Sequence, residues 1–569
     1  MDAAGLAQVK ANHLCILLLL MTAACCLPSH AQTDLPATAK QLFEQERWQE
    51  LTQLLEKAPR TSADLNYYYG IALAHQEHWQ AAGRALYTGQ KLAPRDKRFP
   101  VELAGVEFKQ KKFTAAKHDL RRALQLDVTD AYANEFLATI YFLEGNLEAA
   151  LKYWNRIGKP QIKEVRSEPA LHVRPALLDH AFAFAPASTL TADELLTSNA
   201  RLRALNIFSG YKIDLTALPD GNFDAVFRAR EQNGFGDGKL AALFRTFGSA
   251  VFLEVTPAYY NLHGYATNII SLFRWDSEKR RALASLEGPL KGNPKWRYNV
   301  GADLRNENWV IQTSFTGPST VLGALNMRRE SVNAEIMRLV GARMSWSTGL
   351  EISHRDFRNV VPGVALTPEL LAEGYQLKQK TQITYELWRS PERRLTVSSG
   401  ASSLAGRIWS QPGQSFEKIQ GSLASHWFPQ AKGDDYEMQW RVQAGKTFGQ
   451  VPFDELFILG MERDNDLWMR AHIGTRDRRK GSAPLGENYF LSNWETDKNL
   501  YSNGIFTIRL GPLLDIGKIT DSSSNLGTQK WLFDTGAQAK VAVFGVGVIL
   551  IYGKDLRTGN NAFYAAVSR

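Results

Sequence analysis

Few side chains of this sequence stand in arrangements that do catalytic chemistry. No cluster of His, Asp and Glu has the spacing of a metal site, and no G-x-S-x-G elbow occurs that would present a serine nucleophile. Residues 475–481 form a basic loop with Arg476, Arg478, Arg479 and Lys480, which predicts either a solvated loop or contact with phosphorylated surface glycolipid. We therefore expect a protein that is not an enzyme and that uses neither a metal nor another cofactor.

The cysteines indicate export rather than thiol chemistry. Cys15, Cys25 and Cys26 are the only cysteines of the 569 residues. Cys15 lies within an apolar core at residues 14–21, and the other two follow it. A small-x-small site before Gln32 predicts a secretory signal peptide over residues 1–31. The exported chain then contains no thiol, which excludes disulfides, thiolate metal sites and a cysteine nucleophile. Cys25 as a lipid-anchored N-terminus is the alternative, although the residues before it match that signal poorly.

The composition predicts a folded chain of several domains. Charged residues make up 22% of the sequence and hydrophobic residues 44%, and the net charge of +9 is spread thinly. Such a charge distribution argues against nucleic acid as a partner and is compatible with anionic lipid. After the N-terminus, no apolar run reaches the ~18–20 residues of a membrane-spanning helix.

Short alternating segments make up most of the chain, from residue 232 to residue 569. In residues 436–444 apolar and polar residues alternate strictly, so that one face can meet lipid and the other a wet lumen. At about 20 residues per strand and connection, this length predicts a transmembrane antiparallel β-barrel of about 16 strands. A secreted β-sandwich array is the alternative. The glycines of residues 234–238 lack the strand-to-helix context of a nucleotide loop and predict a hinge before the barrel.

The N-terminal part repeats with a period of 34 residues. Small residues and bulky residues return at fixed positions, namely Gly70, Ala104 and Ala138, then Trp79, Phe113 and Leu147, then Ala82, Ala116 and Ala150. The small residues let paired helices approach closely, and the bulky residue fills the gap at the turn. Spacing and residue types resemble tetratricopeptide repeats, which implies an all-α solenoid over residues 32–158. Such an array binds a peptide or partner domain in its groove, or only spaces the next domain.

A small α+β module follows over residues 159–231. Residues 162–165 predict a strand, Thr191 and Glu194 form a capping box that opens a helix, and residues 211–215 and 223–229 predict a hairpin. The order resembles a polypeptide-transport-associated (POTRA) domain. The resemblance implies an exposed strand edge that pairs with an extended client segment.

The C-terminal part, from residue 455 on, resembles the final strands of the BamA/TamA superfamily, also called bacterial surface antigens. Residues 455–460 resemble the strand that enters the sixth extracellular loop, residues 469–472 occupy the place of its V-R-G-F/Y tip, and residues 513–517 resemble the F-x-D-x-G strand. The resemblance implies a loop folded back into the lumen with Arg470 at its tip. Glu495 and Asp515 are the candidate carboxylate partners of that arginine, with Gly517 in the same strand.

Several positions depart from the family pattern. Ala471 replaces the tip glycine, His472 the tip aromatic residue, and Leu513 the usual phenylalanine, which weakens the expected grip on the loop. The chain also ends in Arg569 rather than in an aromatic residue. The alternative for Arg470 is that it is one of many solvated loop arginines.

The resemblance implies an outer-membrane protein of a diderm bacterium whose N-terminal domains lie in the periplasm. It would assist insertion of proteins into the outer membrane or their translocation across it. Expected partners are outer-membrane lipid and glycolipid and an unknown client protein or periplasmic partner at the N-terminal modules, but not nucleic acid. An exopolysaccharide exporter of the tetratricopeptide-plus-barrel type and a structural barrel or adhesin are the alternatives.

Overall fold

The structure is a computed structural model, and it describes most of the chain after residue 33. The described residues are 34–232, 248–312, 319–363, 365–410, 412–503, 506–522, 529–543 and 546–568, with the single residues 234, 246 and 526. The predicted signal peptide, residues 1–31, and most of the predicted hinge at 234–238 lie outside them. The chain divides into two compact units, Met1–Ile140 and Tyr141–Arg569.

The described N-terminal part is a run of α-helices joined by short turns. They are α1 (Leu35–Glu44), α2 (Trp48–Glu56), α3 (Ala63–His75), α4 (Trp79–Leu92), α5 (Arg98–Lys109), α6 (Phe113–Leu126), α7 (Ala131–Leu143) and α8 (Leu147–Trp154). Side chains cap three of these described helices, since Ser62 accepts from the Leu65 amide, Asp130 from the Ala133 amide and Asn146 from the Ala149 amide. Among the described residues, no helix combines the length and the apolar character needed to cross a membrane.

The small residues of the 34-residue period lie in the helix packing. The alanines at these positions are all 0% exposed: Ala82, Ala104, Ala116, Ala138 and Ala150. A Cβ added at Gly70 would lie 2.6 Å from Cγ of Leu86, closer than real Cβ contacts allow. Close helix approach therefore depends on the absence of larger side chains at these positions.

The bulky residues of the period each start a helix. Trp79 is the first residue of α4 and Phe113 the first residue of α6. Phe113 contacts Phe108 at a ring-centroid distance of 5.5 Å but remains 36% exposed, so it fills the gap at its turn only in part.

The α+β module contains a four-stranded sheet and two helices. Its elements are β1 (Gln161–Glu168), α9 (Pro175–Ala181), β2 (Ser188–Thr189), α10 (Ala192–Leu205), β3 (Phe208–Ala217) and β4 (Phe223–Glu231). The sheet order is β2-β1-β4-β3, with β1 parallel to β4 and β3 antiparallel to β4. Both hydrogen bonds of the predicted capping box between Thr191 and Glu194 are present. Helix α9 has only seven residues, too few for a readable helical period.

The module contacts the first turn and the first hairpin of the barrel. The Asn268 side chain donates to the Leu205 carbonyl at 3.1 Å, and the Asn206 side chain donates to Glu287 at 2.9 Å. The Arg174 amide donates to the Gly264 carbonyl at 2.9 Å. The module is therefore fixed beside the N-terminal strands of the barrel.

Helix α8 contacts a different turn of the barrel. The Asn146 side chain donates to the carbonyl of Pro391 at 2.9 Å, and Arg389 donates to Glu148 at 3.1 Å. Glu392 accepts from both Lys152 and Tyr153. Burial would raise the pKa of Glu392, but its bond to Lys152 outweighs this effect and lowers the pKa, so the turn stays anionic.

The C-terminal part is a closed antiparallel β-barrel with an insertion. Its strands are β5 (Glu254–Val255), β6 (Ala258–Leu262), β7 (Thr267–Trp275), β8 (Lys279–Leu290), β9 (Asn293–Gln312), β10 (Val321–Leu339), β11 (Met344–Val361), β12 (Gly374–Ser390), β13 (Leu395–Ile408), β14 (Gln414–Trp427), β15 (Tyr436–Gly449), β16 (Phe457–Ile458), β17 (Thr475–Arg476), β18 (Arg479–Lys480), β19 (Leu485–Gly486), β20 (Asn488–Ser502), β21 (Phe506–Thr520), β22 (Leu532–Val543), β23 (Val546–Asp555) and β24 (Asn561–Ser568).

The closed strand order contains 18 of these strands, and β16 pairs separately with β19. Two of the 18, β17 and β18, are two-residue strands of a hairpin between β15 and β20, and β15 pairs directly with β20. Without that hairpin the described wall has about 16 strands, as the length of this region predicts. An antiparallel barrel behind an N-terminal helical region is the fold class expected from the sequence.

Alternation of exposed and buried residues along the strands separates the two faces of the wall. In β21, Leu510 and Leu514 are exposed, whereas Leu513, Asp515 and Gly517 are buried. Because successive side chains of a strand point to opposite faces, the three buried residues share the inner face.

The strands that flank the closing seam of the barrel are the shortest of the wall. In the closed order β24 is followed by β5, and these strands have eight and two residues. Strand β6 has five residues, in contrast to the 20 residues of β9. Strands of this length offer few residues for a ladder across the seam.

The helix packing leads to a stability prediction. Ala116→Leu adds volume to a position without free space, so we expect the free energy of unfolding of the helical part to fall by about 1–3 kcal/mol. Urea titration followed by circular dichroism at the helix band measures this change. Ala131→Leu, at an exposed helix start, is the control and should change it by less than about 0.5 kcal/mol. An equal effect of both variants would contradict the packing role of Ala116.

Candidate functional site

The connection between β15 and β20, residues 450–487, lies inside the barrel. Lys446 of β15 and Asn488 of β20 are direct partners in the wall. The connection therefore leaves the wall after β15 and returns to it at the neighbouring strand β20. Leu459, Met461 and Met469 in the connection are 0% exposed. Its side chains contact many strands of the wall, as detailed below. This segment is here named the lumen loop, and it fills much of the interior.

The guanidinium of Arg470 is held by two carboxylates of the wall. It donates to Asp515 Oδ1 at 2.6 Å from Nη2 and to Glu495 Oε2 at 2.7 Å from Nη1. Gln538 and the Trp494 carbonyl accept further bonds at 3.2 Å each. Arg470 is 3% exposed. Burial lowers the pKa of Arg470, but the charges of Asp515 and Glu495 outweigh this effect and raise it, so the arginine stays cationic.

Asp515 is also fully satisfied by other donors. Its Oδ2 accepts from the Arg470 backbone amide at 2.9 Å, and its Oδ1 accepts from the Asn493 side chain at 2.7 Å. A buried carboxyl group that accepts this many hydrogen bonds is fixed in position. The structure thus brings together three of the residues predicted for the loop tip, Arg470, Glu495 and Asp515.

The two unusual tip residues have a partner that the sequence did not predict. The Ala471 amide donates to Asp534 Oδ2 at 2.7 Å, and Nδ1 of His472 lies 3.0 Å from the same oxygen. His472 is 1% exposed and Asp534 is 0% exposed. Asp534 stands opposite Asp515 in the β21–β22 register. This pairing links Asp534 to the tip, and it is visible in the structure rather than in the sequence. The histidine therefore replaces the aromatic tip residue with an additional polar contact.

Glycines give the tip its close approach to the wall. A Cβ added at the predicted residue Gly517 would lie 2.7 Å from Sδ of Met469. Gly553, which sequence analysis missed, is closer: its Cβ would lie 2.2 Å from the Arg470 carbonyl oxygen. Leu513 packs with Met461 and Ile551, so the position that departs from phenylalanine still contributes an apolar contact.

A second anchor of the lumen loop lies at Asp464. This carboxylate accepts from Arg281 at 2.6 Å and from Arg274 at 2.8 Å, and Lys480 lies 3.3 Å away. Burial would raise the pKa of Asp464, but the three cations outweigh this effect and hold it well below its usual range. The acid is therefore ionised.

A third anchor is formed by the adjacent residues Asp454 and Glu455. Asp454 accepts from Arg355 at 2.5 Å and from Arg329 at 3.2 Å. Glu455 accepts from Lys378 at 2.7 Å and contacts Lys418 at 3.4 Å. Burial would raise the pKa of Glu455, and the surrounding cations instead hold it well below its usual range. Sequence analysis did not predict these contacts, because the partners lie on strands that are distant in the chain.

The basic loop at residues 475–481 is only partly solvated, in contrast to both sequence interpretations. Lys480 is 3% exposed and donates to Glu307 at 2.7 Å, so it is not available to glycolipid. Arg479 donates to Glu278 at 2.9 Å, whereas Arg478 is exposed. Lys480 is buried because residues 475–476 pair with residues 479–480 in a β-hairpin, which contacts β9 of the wall instead of forming a free loop.

No group of three or more metal-binding side chains occurs in the described part of the chain. The arrangement is instead an electrostatic one, in which buried ion pairs hold a polypeptide segment in the lumen.

The ionisation of Asp464 and Glu455 sets the pH range of loop anchoring. Their pKa values are lowered in the folded state, so the stabilisation is present above the ordinary carboxyl pKa values and is lost as pH falls through the lowered ones. We expect hydrogen–deuterium exchange of residues 450–487, corrected for intrinsic rates, to be constant from pH 8 down to about pH 4 and to rise only below it. A rise between pH 8 and pH 5 would contradict this assignment.

The contact at Gly553 gives a second prediction. Gly553→Ala forces its Cβ against the Arg470 carbonyl, so the tip must move, at a cost of about 1–3 kcal/mol. We expect faster amide exchange of residues 469–472. Gly421→Ala is the matched control, since a Cβ there meets nothing within 4 Å. Unchanged exchange in Gly553→Ala would show that the tip is not held as described.

Comparisons with known proteins find distant structural similarity. No family profile and no curated protein sequence matches the chain. Among solved structures it is similar to BamA from Haemophilus ducreyi lacking POTRA domains 1-3, with 11% identity and a TM-score of 0.40 over 72% of this chain and 85% of that chain. CdiB from Escherichia coli is similar with 12% identity and a TM-score of 0.44, over 72% and 75%. MamA is similar with 19% identity and a TM-score of 0.22, over 27% and 92%.

Proposed function

We propose that this protein is an outer-membrane barrel that inserts proteins into the outer membrane or passes them across it. The observation that carries the proposal is the lumen loop, held in the barrel by Arg470 against Glu495 and Asp515. The same segment packs Leu459 and Met469 against Leu491 and Ile519 of the wall, so ion pairs and apolar contacts together hold it in the lumen. The loop thus acts as a plug.

The outer face of the wall supports a membrane location. In β11, Leu350 and Ile352 are 55% and 59% exposed, whereas Ser353 and Arg355 on the inner face are 2% and 0% exposed. Apolar residues outside and polar residues inside are typical of a barrel in lipid. A closed barrel also satisfies its backbone groups without water.

The module beside the first strands suggests how a client is received. Strand β3 is an edge strand of the module sheet and has ten residues. Unpaired backbone groups at such an edge bind an extended segment by adding a strand. Because the module is fixed at Asn268 and Glu287, next to the short strands at the seam, a client on β3 is close to the seam of the wall.

Depletion of the protein tests the function class. We would compare the outer-membrane proteome and the secreted fraction before and after depletion. Loss of many barrel proteins identifies an assembly factor, and loss of one exported protein identifies a dedicated transporter. If neither changes, the proposal is wrong; a fall in exported polysaccharide would then indicate glycan export.

The loop anchor is tested by substitution of its arginine. Arg470→Ala removes the cation that pairs with Asp515, whereas Glu495 retains Lys540 at 2.7 Å, and this loss weakens the anchor by about 3–5 kcal/mol. We expect complementation of the depletion to fail while the protein still reaches the membrane as a heat-modifiable band. Arg470→Lys retains the charge but not the forked geometry and should complement in part.

The control for this experiment is Arg478→Ala, an exposed arginine of the same loop. It should complement as wild type does. Full activity of Arg470→Ala would show that the anchored loop is not needed for function.

A further inference from the structure

The interior of the barrel has a basic side and an acidic side. Arg470 of the lumen loop faces acids of β20 and β21, whereas the loop carboxylates Asp454, Glu455 and Asp464 face cations of β7 to β14. At these four residues the loop thus carries the charge opposite to that of its partners in the wall, whereas Lys480 of the loop pairs with the wall acid Glu307. The charges of the loop therefore indicate which charge a segment must carry to bind at each side of the lumen.

The basic side consists of six cations that contact the loop carboxylates at nitrogen–oxygen distances between 2.5 and 3.4 Å. They are Arg274, Arg281, Arg329, Arg355, Lys378 and Lys418, here named the basic wall. Four of them also pair with the wall carboxylates Glu254, Asp303 and Glu351. Within the described residues, the salt bridges of Arg355 and Lys418 go to the loop alone. Without the loop, this side therefore carries excess positive charge.

The wall also makes main-chain contacts with the loop. The Phe453 amide donates to the Leu370 carbonyl at 2.9 Å, and the Gln312 amide donates to the Gly481 carbonyl at 3.2 Å. A polypeptide satisfies such groups with a regular row of main-chain amides and carbonyls, which a polysaccharide backbone does not have. Main-chain bonds together with side-chain charge favour an acidic polypeptide over an anionic glycan.

Free space adjoins the basic wall. A cavity of about 470 Å³ lies between the loop and the strands β9 to β15, and Lys418, Lys380, Gln382 and Gln420 are among its lining residues. A segment that displaces the loop therefore has a polar surface to begin on, with Lys380 and Lys418 on the wall side and the loop acids Asp454 and Asp464 on the other.

We propose that the basic wall is the binding surface for an acidic extended segment of the client, which replaces the carboxylates of the lumen loop. This inference rests on the proposed function and names the client chemistry. The client segment neutralises the wall as the loop leaves, so the exchange avoids a bare row of cations. A basic client segment is repelled at this side.

Conductance measurements test the proposal on the full-length protein. We would combine Arg470→Ala with Asp454→Asn, Glu455→Gln and Asp464→Asn, so that neither the tip nor the loop carboxylates bind the wall. We would reconstitute this variant in neutral phosphatidylcholine planar bilayers and measure the reversal potential in a KCl gradient. We expect chloride selectivity and a block of the current by poly-L-glutamate but not by poly-L-lysine. If this variant does not form a heat-modifiable barrel, Gly553→Ala with the same three carboxylate substitutions serves as the released background, because it displaces the tip without removing Arg470.

Charge removal then locates the block. Lys378→Gln with Lys418→Gln in the released background should raise the half-blocking concentration of poly-L-glutamate about tenfold. Lys446→Gln is the matched control, since Lys446 is an exposed residue of β15 beside Phe448, and should leave it unchanged. Cation selectivity, or equal block by both polymers, would overturn the proposal.

An anionic polysaccharide is the remaining comparison. Block by alginate at a lower concentration than poly-L-glutamate would overturn the assignment to a polypeptide and favour glycan. The depletion experiment reads out function and the bilayer experiment reads out the wall. An unchanged proteome with a poly-L-glutamate block would therefore reject the proposed function alone, whereas lost client proteins without a block would reject the basic wall alone.

Discussion

A buried arginine requires buried carboxylates, and that requirement organises the C-terminal half of the barrel. The guanidinium of Arg470 and its backbone amide both end on Asp515, and Glu495 completes the pair. For these groups to meet, the loop must fold back into the lumen, β20 and β21 must present their acids inward, and Gly553 must be small enough to let the main chain pass. Removing any one of these conditions leaves charge without a partner in the interior.

The rest of the lumen loop follows the same electrostatic logic with opposite sign. Glu455 and Asp464 are ionised because cations of the wall surround them, and Asp454 pairs with Arg355 and Arg329. The loop thus carries both positive and negative side chains that pair with charged residues of the wall. Ion pairs of this kind set the position of the loop more than its affinity, since their net free energy is small relative to the solvation lost.

The sequence predicted the features that depend on local pattern. The 34-residue period, the capping box at Thr191 and the alternation in strands follow from neighbouring residues, and the tip contacts of Arg470 follow from a resemblance in sequence order. The anchors at Asp464 and Glu455 were not predictable, because Arg274 and Lys378 reach them from remote strands whose register only the closed barrel fixes. The burial of Lys480 was missed for the same reason, since a basic loop in sequence gives no sign of the wall behind it.

The contact between α8 and the turn after β12 has a mechanical consequence. Because Asn146, Glu148 and Lys152 are bonded to that turn, α8 is not a free tether. A load on α8 passes through these bonds into β12, the strand that carries Lys378. Helix α8 is thereby coupled to the stretch of wall that contacts the lumen loop.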